Sequence, residues 1–243
     1  MPSESRSRTP LLLGLLALVV VAIAVVAVVV SGGGGDDDDD GGAADTPEVT
    51  TVDRAGEAVG PSAVTGEPID PLTATVTVTG DPLVEFERDA DADAAVGTPA
   101  PGLAGTDYDG NPTAITPGED GPTLVVFLAH WCPHCNAEIP VLNEWRDAGG
   151  VPDDLRIVGV STGVSPDRPN YPPGEWLDDK DWQWDVIADG PFDGSAPPAG
   201  LVAYGVSSYP FFTLIDADGN VAARGSGELP IEALEELVAT VTG

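Results

Sequence analysis

Residues 123–135 read TLVVFLAHWCPHC, and this stretch decides the fold. From Thr123 to Ala129 the chain is almost continuously apolar and of strand length. The lack of polar alternation predicts a strand buried on both faces. Pro133 suits the first turn of a helix, where its missing N–H has no partner to lose. Ile139, Leu142 and Trp145 recur at helical spacing and give that helix an apolar face, and Gly149-Gly150 ends it. Leu155 to Val160 (LRIVGV) predicts a second buried strand. A strand–helix–strand unit implies a parallel pair joined by a right-handed crossover.

Towards the C-terminus, Asp185 to Ala188 predicts a short strand and Gly200 to Tyr204 a short helix. Phe211 to Ile215 and Val221 to Arg224 flank the turn-rich Asp216-Ala217-Asp218-Gly219, which predicts an antiparallel hairpin. Ile231, Leu234, Leu237, Val238 and Val241 form the apolar face of a last helix, with Pro230 near its start. The stretch from Ser165 to Ala199 is rich in Pro and Gly and shows no long helical pattern. Its Trp176, Trp182 and Trp184 read as packing residues. Towards the N-terminus, TATVTVT from Thr73 and the alternating run from Leu83 to Glu87 flank Gly80-Asp81-Pro82. These predict a β-hairpin extension over residues 71–96, ahead of a folded domain over 97–243.

Farther out, the run from Leu11 to Val30 is unbroken Leu, Val, Ala and Ile with one Gly. A helix of that length rises about 30 Å, the thickness of a bilayer core. Arg6 and Arg8 precede it, and SGGGGDDDDDGG follows. The positive-inside bias predicts a cytoplasmic tail (1–10), a transmembrane helix (11–30) acting as a signal-anchor, and an extracytoplasmic remainder. A cleaved signal peptide would have a shorter apolar region and a clearer small-x-small site. Residues 31–70, rich in Gly, Asp, Pro and Thr, read as a flexible acidic linker. The chain has 243 residues, 41 acidic and 9 basic, for a formal charge of −32. Such a surface repels phosphate backbones, so no nucleic-acid partner is expected.

The chain holds only 2 cysteines, Cys132 and Cys135. A disulfide-stapled scaffold needs more bridges over longer loops, so the pair is either catalytic or a metal clip. The spacing places Cys132 at the helix start, where backbone N–H groups stabilise a thiolate. Cys135 lies nearly one turn on, within reach of Cys132. Cys132 is then the exposed, attacking sulfur and Cys135 the shielded, resolving one. His134, when protonated, adds positive charge beside the thiolate. A stable thiolate favours the dithiol and makes the disulfide a stronger oxidant. A zinc site needs two more ligands at suitable spacing, and only His130 and His134 stand near. No metal is therefore expected.

The pattern W-C-x-x-C-x-x-E-x-P, carried by Trp131, Cys132, Cys135, Glu138 and Pro140, resembles the thioredoxin-like superfamily from about Val96 onwards. More narrowly it resembles bacterial redoxins tethered outside the membrane, of the redoxin/thiol-peroxidase-like class. GTPAPGLAGTDYDGNPTAI, from Gly97, resembles the hairpin those proteins place before the active-site strand. The resemblance implies an α/β thioredoxin-like fold with a central mixed sheet flanked by helices. It implies that Glu138 helps proton transfer. It also implies that Tyr209-Pro210 forms a cis-proline loop facing the cysteines, whose backbone pairs with an extended substrate. Two departures stand out. Val126 replaces the buried Asp of cytoplasmic thioredoxins. Pro133-His134 matches periplasmic oxidants, whereas the scaffold resembles tethered reductants.

A protein thiol–disulfide oxidoreductase is the leading expectation, with no cofactor beyond a redox-active Cys132–Cys135 disulfide. Its expected partners are exported protein thiols and disulfides, and a membrane redox partner that resets the pair. A reductase in cytochrome c maturation is the nearest alternative. A copper- or metal-delivery module using the thiols as soft ligands is an alternative of another class. A peroxidase is not expected, because the residues before Cys132 lack the Pro-x-x-x-Thr/Ser-x-x-Cys context.

Overall fold

A computed structural model of the chain describes residues 66–192 and 196–242. The expected membrane run and most of the expected linker lie outside the described residues. Among the described residues, no helix is long and apolar enough to cross a membrane.

Strand β4 (Thr123–Leu128) is fully buried and is the middle of a five-stranded sheet. Its side chains alternate between two cores. Leu124, Val126 and Leu128 face one, and Val125 and Phe127 face the other. This is why the sequence shows no polar alternation. Strands β5 (Arg156–Ser161) and β6 (Asp185–Ala188) run parallel to β4 on one side. On the other side β7 (Phe211–Ile215) runs antiparallel to β4 and β8 (Val221–Ser226) antiparallel to β7, giving the order β6-β5-β4-β7-β8. The first core is covered by α1 (Pro133–Asp147), α2 (Pro173–Asp179) and α4 (Ile231–Val238). The short helix α3 (Ala199–Ala203) belongs to the second. This is the mixed α/β, thioredoxin-like architecture expected from the sequence.

The N-terminal part differs from expectation. Strand β1 is only Thr77–Thr79 and pairs with β2 (Gly102–Thr106), which pairs in turn with β3 (Pro112–Ile115). The β-hairpin extension over 71–96 does not form. Residues after the Gly80 turn instead lie along α3, with Leu83 N–H bonded to the Ala203 carbonyl (2.8 Å) and Phe86 N–H to the Gly205 carbonyl (2.9 Å). The apolar alternation of that stretch is real, but it packs on the second core rather than on a neighbouring strand. Residues 66–70, expected as part of the linker, make bonds to the domain. Gly66 N–H donates to Asn111 Oδ1 (3.1 Å) and Ile69 N–H to the Tyr108 carbonyl (3.0 Å), tying residues 66–70 to the β2–β3 turn.

One turn sequence occurs twice. Asp107-Tyr108-Asp109-Gly110-Asn111 joins β2 to β3, and Asp216-Ala217-Asp218-Gly219-Asn220 joins β7 to β8. In each, the first Asp accepts the N–H groups two and four residues on. The Gly adopts φ of 82° or 86°, which a side chain would oppose.

Helix α1 contains Pro140, which cannot donate to the Asn136 carbonyl. Lys180 Nζ takes that carbonyl instead, at 3.3 Å. The helix ends as expected at Gly149, with φ of 72°.

Candidate active site

The site forms where β4 ends and α1 begins. Cys132 is the N-cap of α1, in extended conformation, with Pro133 in the first turn. Asn136 N–H donates to the Cys132 carbonyl (3.1 Å), starting the helix. Backbone N–H groups of the first turn therefore point at the Cys132 sulfur with no other partner to satisfy.

Cys132 and Cys135 are free thiols. The Cys135 thiol donates to the Cys132 sulfur, and the backbone N–H groups of Cys135 and His134 add to it. Against the cost of burial, these pull the Cys132 thiol down to about 6. Cys135 is pushed up strongly, first by giving its proton to that bond and then by burial. It also receives the Ala129 N–H at 3.5 Å. The pair is thus split into one thiol that ionises readily and one that holds its proton. Cys132 is less open than expected, with only 5% of its surface exposed against 0% for Cys135. The Tyr209 carbonyl lies 3.8 Å from its sulfur and partly roofs it.

His134 is exposed and pairs with Glu228 at 2.6 Å, a partner 94 residues away. That carboxylate raises the His134 pKa and so favours the cation beside Cys132, while neutralising part of its charge. Glu138 is fully buried one turn beyond Cys135. Its Oε2 accepts the Leu229 N–H (3.0 Å), and its Oε1 has no partner among the described residues. Burial pushes its carboxyl up to about 7. Glu138 is thus an interior residue of α1.

Tyr209-Pro210 is cis and precedes β7, as expected. Tyr209 meets Trp131 edge-on at 5.9 Å, and the Trp131 Nε1–H donates to the Gly163 carbonyl (2.8 Å). The eight side chains and backbone groups singled out from the sequence (Trp131, Cys132, Pro133, His134, Cys135, Glu138, Tyr209, Pro210) thus gather around one pair of sulfurs.

The sequence places His130 near the cysteines and reads Trp176 as packing, but gives no sign of the contacts they make. His130 is fully buried, with Nδ1 at 2.7 Å from the Pro169 carbonyl and Nε2 accepting the Ser165 N–H at 3.1 Å. Burial lowers its pKa. Asn136 donates to the Cys132 carbonyl and accepts the Trp176 Nε1–H at 2.9 Å, so Trp176 packs and also braces the helix start. A second cis bond, Tyr171-Pro172, starts α2. These contacts join residues far apart in sequence, and no local pattern announces them. Among the described residues, no three His, Cys, Asp or Glu side chains gather to hold a metal ion.

No curated protein matches the chain. Solved structures do. A DsbF homologue from Corynebacterium diphtheriae superposes with a TM-score of 0.51 at 17% identity, over 65% of this chain and 99% of that one. A thiol:disulfide interchange protein of the thioredoxin family from Chlorobium tepidum gives 0.45 at 26% identity, over 63% and 100%. A secreted Mycobacterium tuberculosis disulfide oxidoreductase homologous to E. coli DsbE gives 0.45 at 22%, over 57% and 95%. Residues 96–224 match the model of the AhpC/TSA family, which spans the site from β2 to β8. The chain therefore belongs to the AhpC/TSA family, a redox-active family, and is an oxidoreductase.

Proposed function

We propose that the protein is a membrane-tethered thiol–disulfide oxidoreductase that exchanges disulfides with exported proteins through Cys132 and Cys135. The observation that carries this reading is the split of the two thiols, with Cys132 drawn to about 6 at a helix N-terminus and Cys135 driven the other way. Starting from the disulfide, a substrate thiolate attacks Cys132 Sγ. The Cys132–Cys135 bond breaks, and Cys135 leaves with the electron pair and takes a proton. A second substrate thiolate then attacks the substrate sulfur of the mixed disulfide. Cys132 leaves as the thiolate that its surroundings stabilise, and the substrate has lost two electrons to the pair.

The reverse sequence makes the protein a reductase, and Glu138 favours that second reading. To resolve a mixed disulfide at Cys132, Cys135 must lose its proton. Glu138, near enough to raise the Cys135 pKa and itself at about 7, is the buried base available to take it. Cytochrome c maturation is a pathway that would use such a reductant. The cis Tyr209-Pro210 bend, whose Tyr209 carbonyl lies 3.8 Å from the Cys132 sulfur, supports pairing with a substrate segment there. The apolar run 11–30 supports attachment to the cytoplasmic membrane, with the catalytic domain outside.

Two experiments test this. Cys132→Ser is expected to abolish disulfide exchange with reduced or scrambled protein substrates, and retained exchange would sink the proposal. Equilibration with a thiol redox buffer then decides direction. A potential near about −120 mV makes the pair a disulfide donor, and one near about −270 mV makes it a reductant.

A further inference from the structure

Among the described residues, the cations are almost all taken. Arg146, Arg156 and Arg224 are ion-paired, Arg88 donates to Ser226 Oγ, and Lys180 donates to the Asn136 carbonyl. Arg168 differs. It is exposed, and its guanidinium lies over the Trp131 ring, 4.8 Å from the centroid, with no ion pair or hydrogen bond. Asp167 is exposed beside it in sequence but is not paired with it. Among the described residues, the one Lys or Arg side chain without an anionic or hydrogen-bonding partner sits on the residue next to the reactive cysteine.

The platform beneath it is fixed. Trp131 is held by its bond to the Gly163 carbonyl and by its edge contact with Tyr209, whose carbonyl faces the Cys132 sulfur. A guanidinium over a ring face loses little by stacking, because its N–H groups point sideways in its own plane. They stay free to grip a carboxylate with two parallel bonds. On the other flank of Cys132, His134 already has Glu228.

We propose that Arg168, held on Trp131, is a specificity-determining residue that selects substrate segments bearing a carboxylate beside the reacting cysteine. This deepens the exchange reading above and rests on it. The overall negative charge of the protein does not contradict it. At physiological salt, charges beyond about 8 Å are largely screened, so the choice falls to the group in contact.

The test uses the full chain in detergent, reduced, with two peptides identical except for Asp or Lys beside a single cysteine. Each peptide cysteine carries thionitrobenzoate in a mixed disulfide. The Cys132 thiolate attacks the peptide sulfur, the S–S bond breaks, and thionitrobenzoate leaves with the electron pair and is read by absorbance. Dithiothreitol, in place of the protein, measures the intrinsic reactivity of each peptide. Relative to it, the wild type is expected to favour the Asp peptide about three- to fivefold, the scale of an exposed ion pair. Arg168→Gln abolishes the preference and Arg168→Glu inverts it, while the Cys132 titration midpoint stays unchanged in both. Attack that persists with the same peptide ratio in all three proteins overturns the inference and leaves the exchange reading standing. Failure of the wild type to attack either peptide overturns the exchange reading, and this inference with it.

Discussion

Glu138 is an acid placed where water cannot reach it. Its folded pKa of about 7 lies above the ordinary 4.5, with burial the main cause. The fold therefore favours the protonated form. The stability this contributes is fully present below about 4.5 and is lost as pH rises through about 7. Above that, the native state carries a buried charge with one unpartnered oxygen. Glu138→Gln keeps an oxygen for the Leu229 N–H and removes the charge. The variant is expected to be more stable than the wild type by about 2–3 kcal/mol at pH 8, with most of the gain gone by pH 5. Urea denaturation at the two pH values measures it, and an equal gain at both would refute the buried-acid assignment. The same residue scale governs Cys132. In Cys135→Ala the thiol that donates to Cys132 is gone, so thiolate absorbance should titrate clearly above the midpoint of about 6 expected for the wild type. An unmoved midpoint would assign the low pKa to the helix terminus alone. The cysteines, Glu138 and the proline loop were legible in the sequence because each is a residue type tied to a local motif. Glu138's burial was not, because it depends on the chain near Leu229 returning over α1.

At the scale of elements, the segment between β5 and α2 is fastened to the site by one imidazole together with the Trp131 bond to the Gly163 carbonyl. A ring nitrogen that accepts a backbone N–H carries no proton, so the Ser165 bond assigns the His130 proton to Nδ1, which donates it to the Pro169 carbonyl. Asn170 Nδ2 adds a bond to the His130 carbonyl at 2.8 Å. Protonating Nε2 would set one N–H against another. Because the folded pKa is depressed, this fastening contributes stability above the ordinary His value of about 6.5 and loses it as pH falls through the lower folded value. Amide exchange at Ser165, corrected for its intrinsic rate, is expected to accelerate several-fold from pH 7.5 to pH 5. His130→Phe should exchange fast at both. Protection that does not change with pH would refute the latch. This element was the least legible part of the site. Ser165 to Ala199 read as Pro- and Gly-rich chain, and α2 is too short to show a periodicity. Its order comes from Trp176, Asn136 and His130 meeting across about forty residues of sequence.

At the scale of the molecule, the five-stranded sheet was legible because its strands announce burial by composition, and β4 does so most clearly. The boundary of the domain was not. A break at 96/97 matches the start of the family match, yet the second core is closed by residues before it. Leu83 and Ala95 are buried in that core, and Phe86 packs edge-on against Phe211 at 5.3 Å. The Arg224 side chain is fully buried, donates to Asp93 through Nε at 2.8 Å, and reaches the Val84 and Tyr204 carbonyls through Nη1. Removing residues up to 96 would uncover apolar surface and strand a buried guanidinium at once. Each large apolar side chain contributes about 1.5–3 kcal/mol by burial, and breaking a buried ion pair costs about 3–5 kcal/mol. The sum rivals the whole stability of an ordinary domain. A chain beginning at Gly97 is therefore expected to lose cooperative unfolding, although it retains both cysteines and most of the family match. Arg224→Leu in the full chain separates the share of the guanidinium from that of apolar burial, because it removes the bonds to Asp93, Val84 and Tyr204 while keeping Phe86 and Leu83 in place. It should lower the urea midpoint by an amount that corresponds to about 3 kcal/mol. If the shortened chain unfolded as cooperatively as the full one, the segment from 66 to 96 would be an appendage rather than a wall of the second core.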